Sequence, residues 1–348
     1  MTVSVDMVRL TKVYKGTDVA SVDDISMTIE KGQLVALLGP SGCGKTTTMK
    51  MLAGLLDPTQ GDVQFDGRSV VDIPAEKRNV AMVMQKPRLF PHMSIGDNVG
   101  FGLRMRGVDK KTRKKRVGEM MELVRLPGME DRRPGQLSGG QEQRISLARG
   151  LITEPDILLL DEPLSQLDAN LRIEMRDLIR SIQAELGITS IFVTHDQEEA
   201  VMLADRIALM LQGRIQQDGL PQDFYERPVT QAVARFFGTQ NFVPGTVSGR
   251  SFESVLGTLE LGHEHAAGEG LLVIRQEAIE VGGGENSFEA TVERAMYLGT
   301  HVRVWAHAAD VKLQFTVPPG VRYEADQVIA LRLPKEQAWV VPVEDKLL

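Results

Sequence analysis

The stretch LLGPSGCGKTTTMKMLAG, residues 37–54, constrains this chain more than any other. An apolar run, a glycine-rich loop and a helical run follow one another without a break. The loop matches G-x-x-x-x-G-K-[ST] at Gly39, Gly44, Lys45 and Thr46, in the strand-then-helix context that gives the pattern its meaning. Such a chain must end a strand, turn its backbone N–H groups toward one point and start a helix there. The glycines allow this because a Cβ would block the close approach of phosphate oxygens. Lys45 is placed to set its ammonium on the outer phosphates, and the Thr46 hydroxyl can ligate Mg²⁺. Pro40, Ser41, Gly42, Cys43 and Thr47 complete the loop and the first helical turn.

The segment ILLLDE, Ile157–Glu162, supplies a second half to that site. A buried strand ending in a carboxylate puts Asp161 at the C-terminal edge of a sheet, where open α/β sheets bind ligands. Asp161 is expected to hold Mg²⁺, through water. Glu162, one residue on, is placed to polarise an attacking water as general base. A further stretch, QLSGGQEQRISLARG, has the makings of another anion cradle: adjacent glycines and the start of a helix. One chain does not need two cradles for one nucleotide.

Up to about residue 84, short apolar segments alternate with turn signals and read as strands, with one helix after Gly44. Helical periodicity then runs from Pro87 to Thr153, as in RVGEMMELVRL and QRISLARGLI. A strand returns at Asp156, followed by a helix from Leu171 to about Leu186, the strand SIFVTHD, a short helix and the hairpin RIALMLQGRIQQDG. Alternating strands and helices imply a largely parallel sheet covered on both faces, with 87–153 as a helical insertion. At Phe237 the stretch FGTQNFVPGTVSG reads as a linker. Short alternating runs beyond it suggest a small all-β, barrel-like unit. The expected domains are 1–236 and 237–348.

Formal net charge is −7, which argues against nucleic acid as a partner. The basic run Lys110–Arg116 reads as the solvated start of a helix continuing through Val117, Met120, Met121 and Val124, with contact to a membrane surface or an acidic partner as the alternative. The single cysteine, Cys43, excludes an intramolecular disulfide and fits a reducing compartment. Its place beside a helix N-terminus leads us to expect a lowered thiol pKa. No apolar run approaches the roughly 18–20 residues that span a bilayer, and the N-terminus lacks the layout of a secretory signal. The expectation is a cytosolic chain whose membrane role comes through a partner.

The order of these motifs, with VMQKPRLFPHMSIGDNVGFGL, LSGGQ, LLLDEPLSQLD and FVTHDQEEA, resembles the ATPase subunit of an ATP-binding-cassette (ABC) transporter over about residues 5–235. The tail GRIQQDGLPQDFYERP and the β-rich end are similar to the subgroup that energises importers of sugars, polyamines, ferric iron or inorganic anions. The resemblance implies an α/β fold: a P-loop NTPase (RecA-like) parallel-sheet core with a helical insertion, then a small all-β OB-like regulatory domain.

It implies ATP and Mg²⁺ as cofactors and a set of roles. Tyr14 falls where the family stacks an aromatic on adenine, a contact worth roughly 1–3 kcal/mol. Gln85 matches the glutamine that touches Mg²⁺ and the attacking water, and His195 the switch histidine that reads the γ-phosphate and orients Glu162. Asp168 matches a loop that crosses between subunits. Ser138, Gly139, Gly140 and Gln141 would face the ATP held by a second copy packed head to tail, which answers the puzzle of the second cradle.

Transmembrane permease subunits are the further implied partners, with Gln85 and the apolar group Leu89, Phe90, Pro91 and Met93 as docking surface. Without the resemblance that group would be a local core. An extracytoplasmic solute-binding protein is an indirect partner, and nucleic acid is none. The implied location is peripheral, at the cytoplasmic face of the inner membrane. Gln166, Glu142 and Gln276 depart from the residues common at their positions and remove no catalytic group. Ferric iron or polyamine is favoured over sugar or anion as the imported solute. The alternative is a stand-alone ABC-type ATP switch with the β domain as its output.

Overall fold

The structure is a computed structural model describing residues 2–343. The chain divides between Pro221 and Gln222 into two compact units.

In the first unit, β1 (Val5–Val13), β2 (Ala20–Ile29), β3 (Leu34–Leu38), α1 (Lys45–Leu52), β4 (Gln60–Phe65), β5 (Arg68–Ser69) and β6 (Val80–Val83) come first. The helices α2 (Ile95–Val99), α3 (Phe101–Met105), α4 (Lys110–Leu123) and α5 (Gly139–Leu151) form the insertion. Then follow β7 (Ile157–Asp161), α6 (Ala169–Leu186), β8 (Thr189–Thr194), α7 (Gln197–Leu203), β9 (Arg206–Leu211) and β10 (Arg214–Gly219). Six strands form one sheet in the order β10-β9-β3-β8-β7-β6. All its pairings are parallel except β10 on β9.

The expectation of one largely parallel sheet holds only for these strands. β2-β1-β4-β5 form a separate antiparallel sheet. The cause is in the side chains. All five residues of β3 are buried, as in a strand covered on both faces, whereas β2 buries Val22, Ile25, Met27 and Ile29 with more exposed residues between. An alternating strand needs only one covered face. The two sheets share one core, in which Met7, Leu10 and Ile25 belong to the same cluster as Leu37, Ile191 and Val193.

Helix starts are set by local chemistry. Ser94, Asp109, Ser138, Asp168 and Asp196 each accept a backbone N–H as N-cap of α2, α4, α5, α6 and α7, satisfying donors that a helix leaves free. α1 has no such cap: Gly44 precedes it at φ 105° and offers no side chain. Its first N–H groups stay available. α6 buries Met175, Leu178, Ile179 and Ile182 on one stripe and ends at Gly187, whose φ is 58°. That left-handed turn suits glycine.

The second unit opens with α8 (Asp223–Glu226) and α9 (Gln231–Phe236). It continues as β11 (Asn241–Ser254), β12 (Gly257–Ile274), β13 (Glu280–Val281), β14 (Ser287–Tyr297), β15 (Val302–Ala308), β16 (Val311–Val317), β17 (Val328–Arg332) and β18 (Trp339–Pro342). Its sheets, β11-β12-β18 and β13-β17-β14-β15-β16, are antiparallel and enclose a core that includes Phe252, Leu272, Val304, Phe315 and Leu331. The stretch expected to be a linker is largely strand β11, and the division between units precedes the expected boundary at 236/237. Arg275 explains why. Its guanidinium is buried and donates to the carbonyls of Phe224, Tyr225 and Phe237, fastening α8 and α9 to the β unit.

Candidate nucleotide site

β3 delivers the chain into the glycine-rich loop. A Cβ on Gly39 would lie 2.2 Å from the Met210 carbonyl oxygen and 2.8 Å from Cys43 Sγ, and one on Gly44 would lie 2.3 Å from the Ser21 carbonyl oxygen. Both have positive φ, 156° and 105°, so glycine is required twice over. At Gly42 a Cβ would meet nothing within 4 Å; there the loop is open. Lys45 is buried and donates Nζ to the carbonyls of Gly39 at 2.6 Å and Pro40 at 2.8 Å. No carboxylate lies in ion-pair distance of it among the described residues. A buried ammonium beside free helix N–H groups is a charge arrangement completed by an anion.

Asp161, at the end of β7, is buried and accepts from Thr46 Oγ1 at 3.3 Å. Burial pushes its carboxyl above the usual range, against the Thr46 hydrogen bond, which lowers it. A hydroxyl and a carboxylate at the loop fit Mg²⁺, which keeps waters and phosphate oxygens in most of its coordination positions.

Glu162 occupies the left-handed region at φ 45°, a costly conformation for a non-glycine residue that turns its side chain out of the strand line. Its N–H bonds the Val193 carbonyl at 3.1 Å, which holds the bend. Two side chains meet its carboxylate: Gln85 Nε2 donates to Oε2 at 3.0 Å, and His195 Nδ1 stands 3.4 Å from Oε1. Ser165 closes the arrangement, accepting from Gln85 Nε2 at 3.1 Å and donating to the Glu162 carbonyl at 3.0 Å.

Tyr14 is 41% exposed just past β1. Its hydroxyl lies 3.2 Å from Thr47 Oγ1, with Lys12 Nζ 5.8 Å from the ring centroid. The exposed ring thus sits at the rim of the loop. Pro40 and Ser41 are exposed and Cys43 is buried.

The thiol reverses our expectation. Burial raises its pKa, outweighing the Lys45 charge and hydrogen bond that lower it. Proximity to a helix N-terminus is a weaker influence here than exclusion from water.

Ser138, Gly139, Gly140, Gln141 and Asp168 are not part of this hydrogen-bonded set. Ser138 and Gln141 satisfy each other in a capping box, Ser138 N to Gln141 Oε1 at 3.0 Å and Gln141 N to Ser138 Oγ at 3.4 Å. Ser138 and Gly139 are exposed, and a Cβ on Gly139 would meet nothing within 4 Å. Asp168, also exposed, accepts from Leu171 N at 3.0 Å. The second cradle is complete as a helix start and open to solvent.

Of the apolar group after Gln85, Leu89, Phe90 and Met93 are half-buried and Pro91 is exposed. Asn98, fully buried, fixes this segment by accepting from Phe90 N at 2.7 Å and donating to the carbonyls of Phe90 and Ser94. Arg149 donates to the carbonyls of Pro87 and Arg88 and lies 5.5 Å from the Phe90 ring centroid. Ser165, Asn98 and Arg149 were missed in the sequence. Ser165 had a signal, its place three residues after Glu162; the other two belong to helix patterns that do not announce a loop contact. Gln276, a departure in the second unit, accepts from Gln314 Nε2 at 2.9 Å.

An uncapped helix start, a buried lysine and two successive carboxylates at the end of β7 fit one class: phosphate-loop nucleotide hydrolases. Comparison with known proteins narrows this. The ABC transporter family matches residues 22–165, and the TOBE domain family residues 272–341. The chain is 44% identical over 319 residues to the Fe(3+) ions import ATP-binding protein FbpC of Escherichia coli (strain K12), covering 89% of this chain and 90% of the relative. It is 39% identical over 354 residues to the spermidine/putrescine import ATP-binding protein PotA of Mesorhizobium japonicum, covering 97% of each. Among solved structures, a dimeric post-hydrolysis state of the ATP-binding cassette MJ0796 bound to ADP and Pi has a TM-score of 0.57 at 29% identity, covering 62% of this chain and 98% of that one. The cbiO1 protein of Clostridium perfringens, part of an ABC transporter complex, has a TM-score of 0.59 at 29% identity, covering 66% and 92%.

The chain belongs to the ATP-binding subunits of ABC importers, with an OB-like TOBE domain at its C-terminal side. It is an ATPase coupled to transmembrane transport. No helix among the described residues is long and apolar enough to cross a membrane.

Proposed function

We propose that this subunit powers uptake of ferric iron or a polyamine through separate permease subunits, as a head-to-tail homodimer on the cytoplasmic face of the inner membrane. The relatives support the solute: the two quoted above carry ferric ion or spermidine/putrescine in their names. A solute-binding protein outside the membrane would choose the cargo, and nucleic acid has no part.

The observation that carries the catalytic reading is the convergence of Gln85 and His195 on the two oxygens of Glu162. Glu162 takes a proton from the attacking water; Gln85 and His195 hold that carboxylate toward it and sense the γ-phosphate. Lys45 and the N–H groups of residues 42–46 hold the phosphates, and Tyr14 stacks on the base. Thr46, Asp161 and Gln85 hold Mg²⁺, which when bound neutralises charge on the phosphoryl group. Ser138–Gln141 and Asp168 serve the ATP of the second copy. The segment that Asn98 and Arg149 secure, with Leu89, Phe90, Pro91 and Met93, docks the permease.

The test is ATP hydrolysis by the complex reconstituted with its permease and binding protein. Ferric ion or spermidine should raise turnover, while maltose and sulfate should not. Stimulation by a sugar would displace the solute assignment, and failure to co-purify with any membrane subunit would favour the stand-alone switch.

A further inference from the structure

Arg172 stands on the first turn of α6, four residues past Asp168. Its Nη2 donates to the carbonyl of Leu167 at 3.2 Å, the residue directly before Asp168. Its Nη1 lies 3.9 Å from Asp196 Oδ2 and its Nε 3.8 Å from Glu199 Oε1. Asp196 follows His195 in sequence and caps α7 by accepting from Glu198 N at 2.8 Å and Glu199 N at 3.2 Å. Thr194, directly before His195, donates to Glu199 Oε2 at 2.5 Å and accepts from Asp196 N at 3.0 Å. His195 is therefore flanked by Asp196, which faces the guanidinium, and by Thr194, whose partner Glu199 faces it too, while the same guanidinium donates to the carbonyl directly before Asp168.

Two features argue against a purely structural ion pair. The Arg172 side chain is 38% exposed, so charge attraction at these distances contributes little stability. Its Nε is buried with no hydrogen-bond partner, and 3.8 Å is too long for one. An unsatisfied buried donor costs free energy that a small shift of Glu199 or of the Leu167–Asp168 loop would recover.

We infer that Arg172 is a positioning residue that couples the Asp168 loop to the His195 segment, so that closure around the partner's ATP is felt at the subunit's own switch. The inference rests on the roles proposed above for Asp168 and His195. A planar guanidinium can donate to the Leu167 carbonyl while its remaining N–H groups face Asp196 and Glu199; a lysine ammonium, a single point charge on a flexible stem, does not present that geometry.

The test is steady-state ATP hydrolysis by the full-length chain, as a function of ATP concentration, for Arg172→Lys and Arg172→Ala, with His195→Ala as control. The wild type should hydrolyse ATP with a Hill coefficient above unity. In Arg172→Lys, binding of a fluorescent ATP analogue and thermal stability should stay at wild-type level. Turnover should fall by about 10- to 100-fold, as expected when a catalytic group is misplaced, and the Hill coefficient should fall to unity. A hyperbolic wild-type curve would overturn the coupling. So would wild-type turnover and cooperativity in Arg172→Lys, or equal losses of stability and nucleotide binding in both Arg172 variants. His195→Ala separates the layers: if it retains normal turnover, the switch role itself fails, whereas an inactive His195→Ala beside a normal Arg172→Lys sinks only the coupling.

Discussion

Nδ1 of His195 stands 3.4 Å from Oε1 of Glu162, joining the end of β8 to the end of β7 across two parallel strands. The contact depends on backbone that few residues adopt, since Glu162 sits at φ 45°. A strand continuing in regular geometry would carry the carboxylate past the site.

Glu162→Gln keeps the size of the side chain and removes the base. General-base catalysis contributes typically 10²–10⁴-fold, so turnover should fall by about that range while ATP affinity is retained. The bound, unhydrolysed nucleotide should trap a dimer detectable by size-exclusion chromatography. Unchanged steady-state hydrolysis would remove Glu162 from the role of base.

The helix start at Ser138 gives a test of the partner-facing cradle. Ser138→Ala removes an N-cap, which costs roughly 0.5–2 kcal/mol, and should lower the melting temperature slightly without preventing dimerisation. Ser138→Arg loses the same cap but adds a cation and bulk at an open helix start. Its melting temperature should match that of Ser138→Ala, and its monomer should still bind ATP, while the ATP-dependent dimer disappears. Dimerisation like that of wild type in Ser138→Arg would end the trans-cradle reading.

Much of this was legible in the sequence because the chemistry is local. Gly39 to Thr46 is contiguous, and Asp161 and Glu162 end a recognisable strand. Pairings between distant segments were not legible. The strands β1, β2 and β4 could be seen as strands, but which sheet they join depends on whether one face or two is buried. The contrast between the alternation in ASVDDISMTI and the unbroken LVALL carried that information. The division at Pro221 was hidden because α8 and α9 are tied to the β unit by residues far along the chain, such as Arg275, reaching carbonyls that any residue would offer. Arg172 was hidden likewise: its partners lie in another loop and helix, and no local pattern marks a guanidinium that spans them.

Cys43 should alkylate slowly. The residue is 5% exposed and its thiol pKa is raised by burial, so little thiolate is present at neutral pH and access requires the loop to open. Labelling by iodoacetamide should be slower than for a free thiol and climb as pH rises past the ordinary thiol range of about 8.5. ATP should slow it further by holding the loop closed. Labelling at neutral pH as fast as free cysteine would contradict the burial argument, and equal rates with and without nucleotide would contradict loop protection.

Asp161 provides a pH test with a definite sign. Its folded-state pKa is raised, chiefly by burial, so the native state without nucleotide binds the proton more tightly than the unfolded chain does. Stability then falls as pH rises from the unfolded carboxyl value, about 3.9, through the raised folded value. The penalty is fully present above the folded value and absent below the unfolded one. Asp161→Asn removes the charge that burial penalises. Without nucleotide this variant should melt at a higher temperature than wild type near pH 7, and the advantage should vanish in acid. With ATP and Mg²⁺ the order should reverse, because the wild-type carboxylate gains a cation and the amide does not. The wild-type gain from Mg²⁺ should itself fade as acid protonates Asp161. Thermal melts with and without MgATP between about pH 4 and pH 8 resolve both effects. A variant that Mg²⁺ and ATP stabilise as strongly as wild type would take Asp161 out of the metal site.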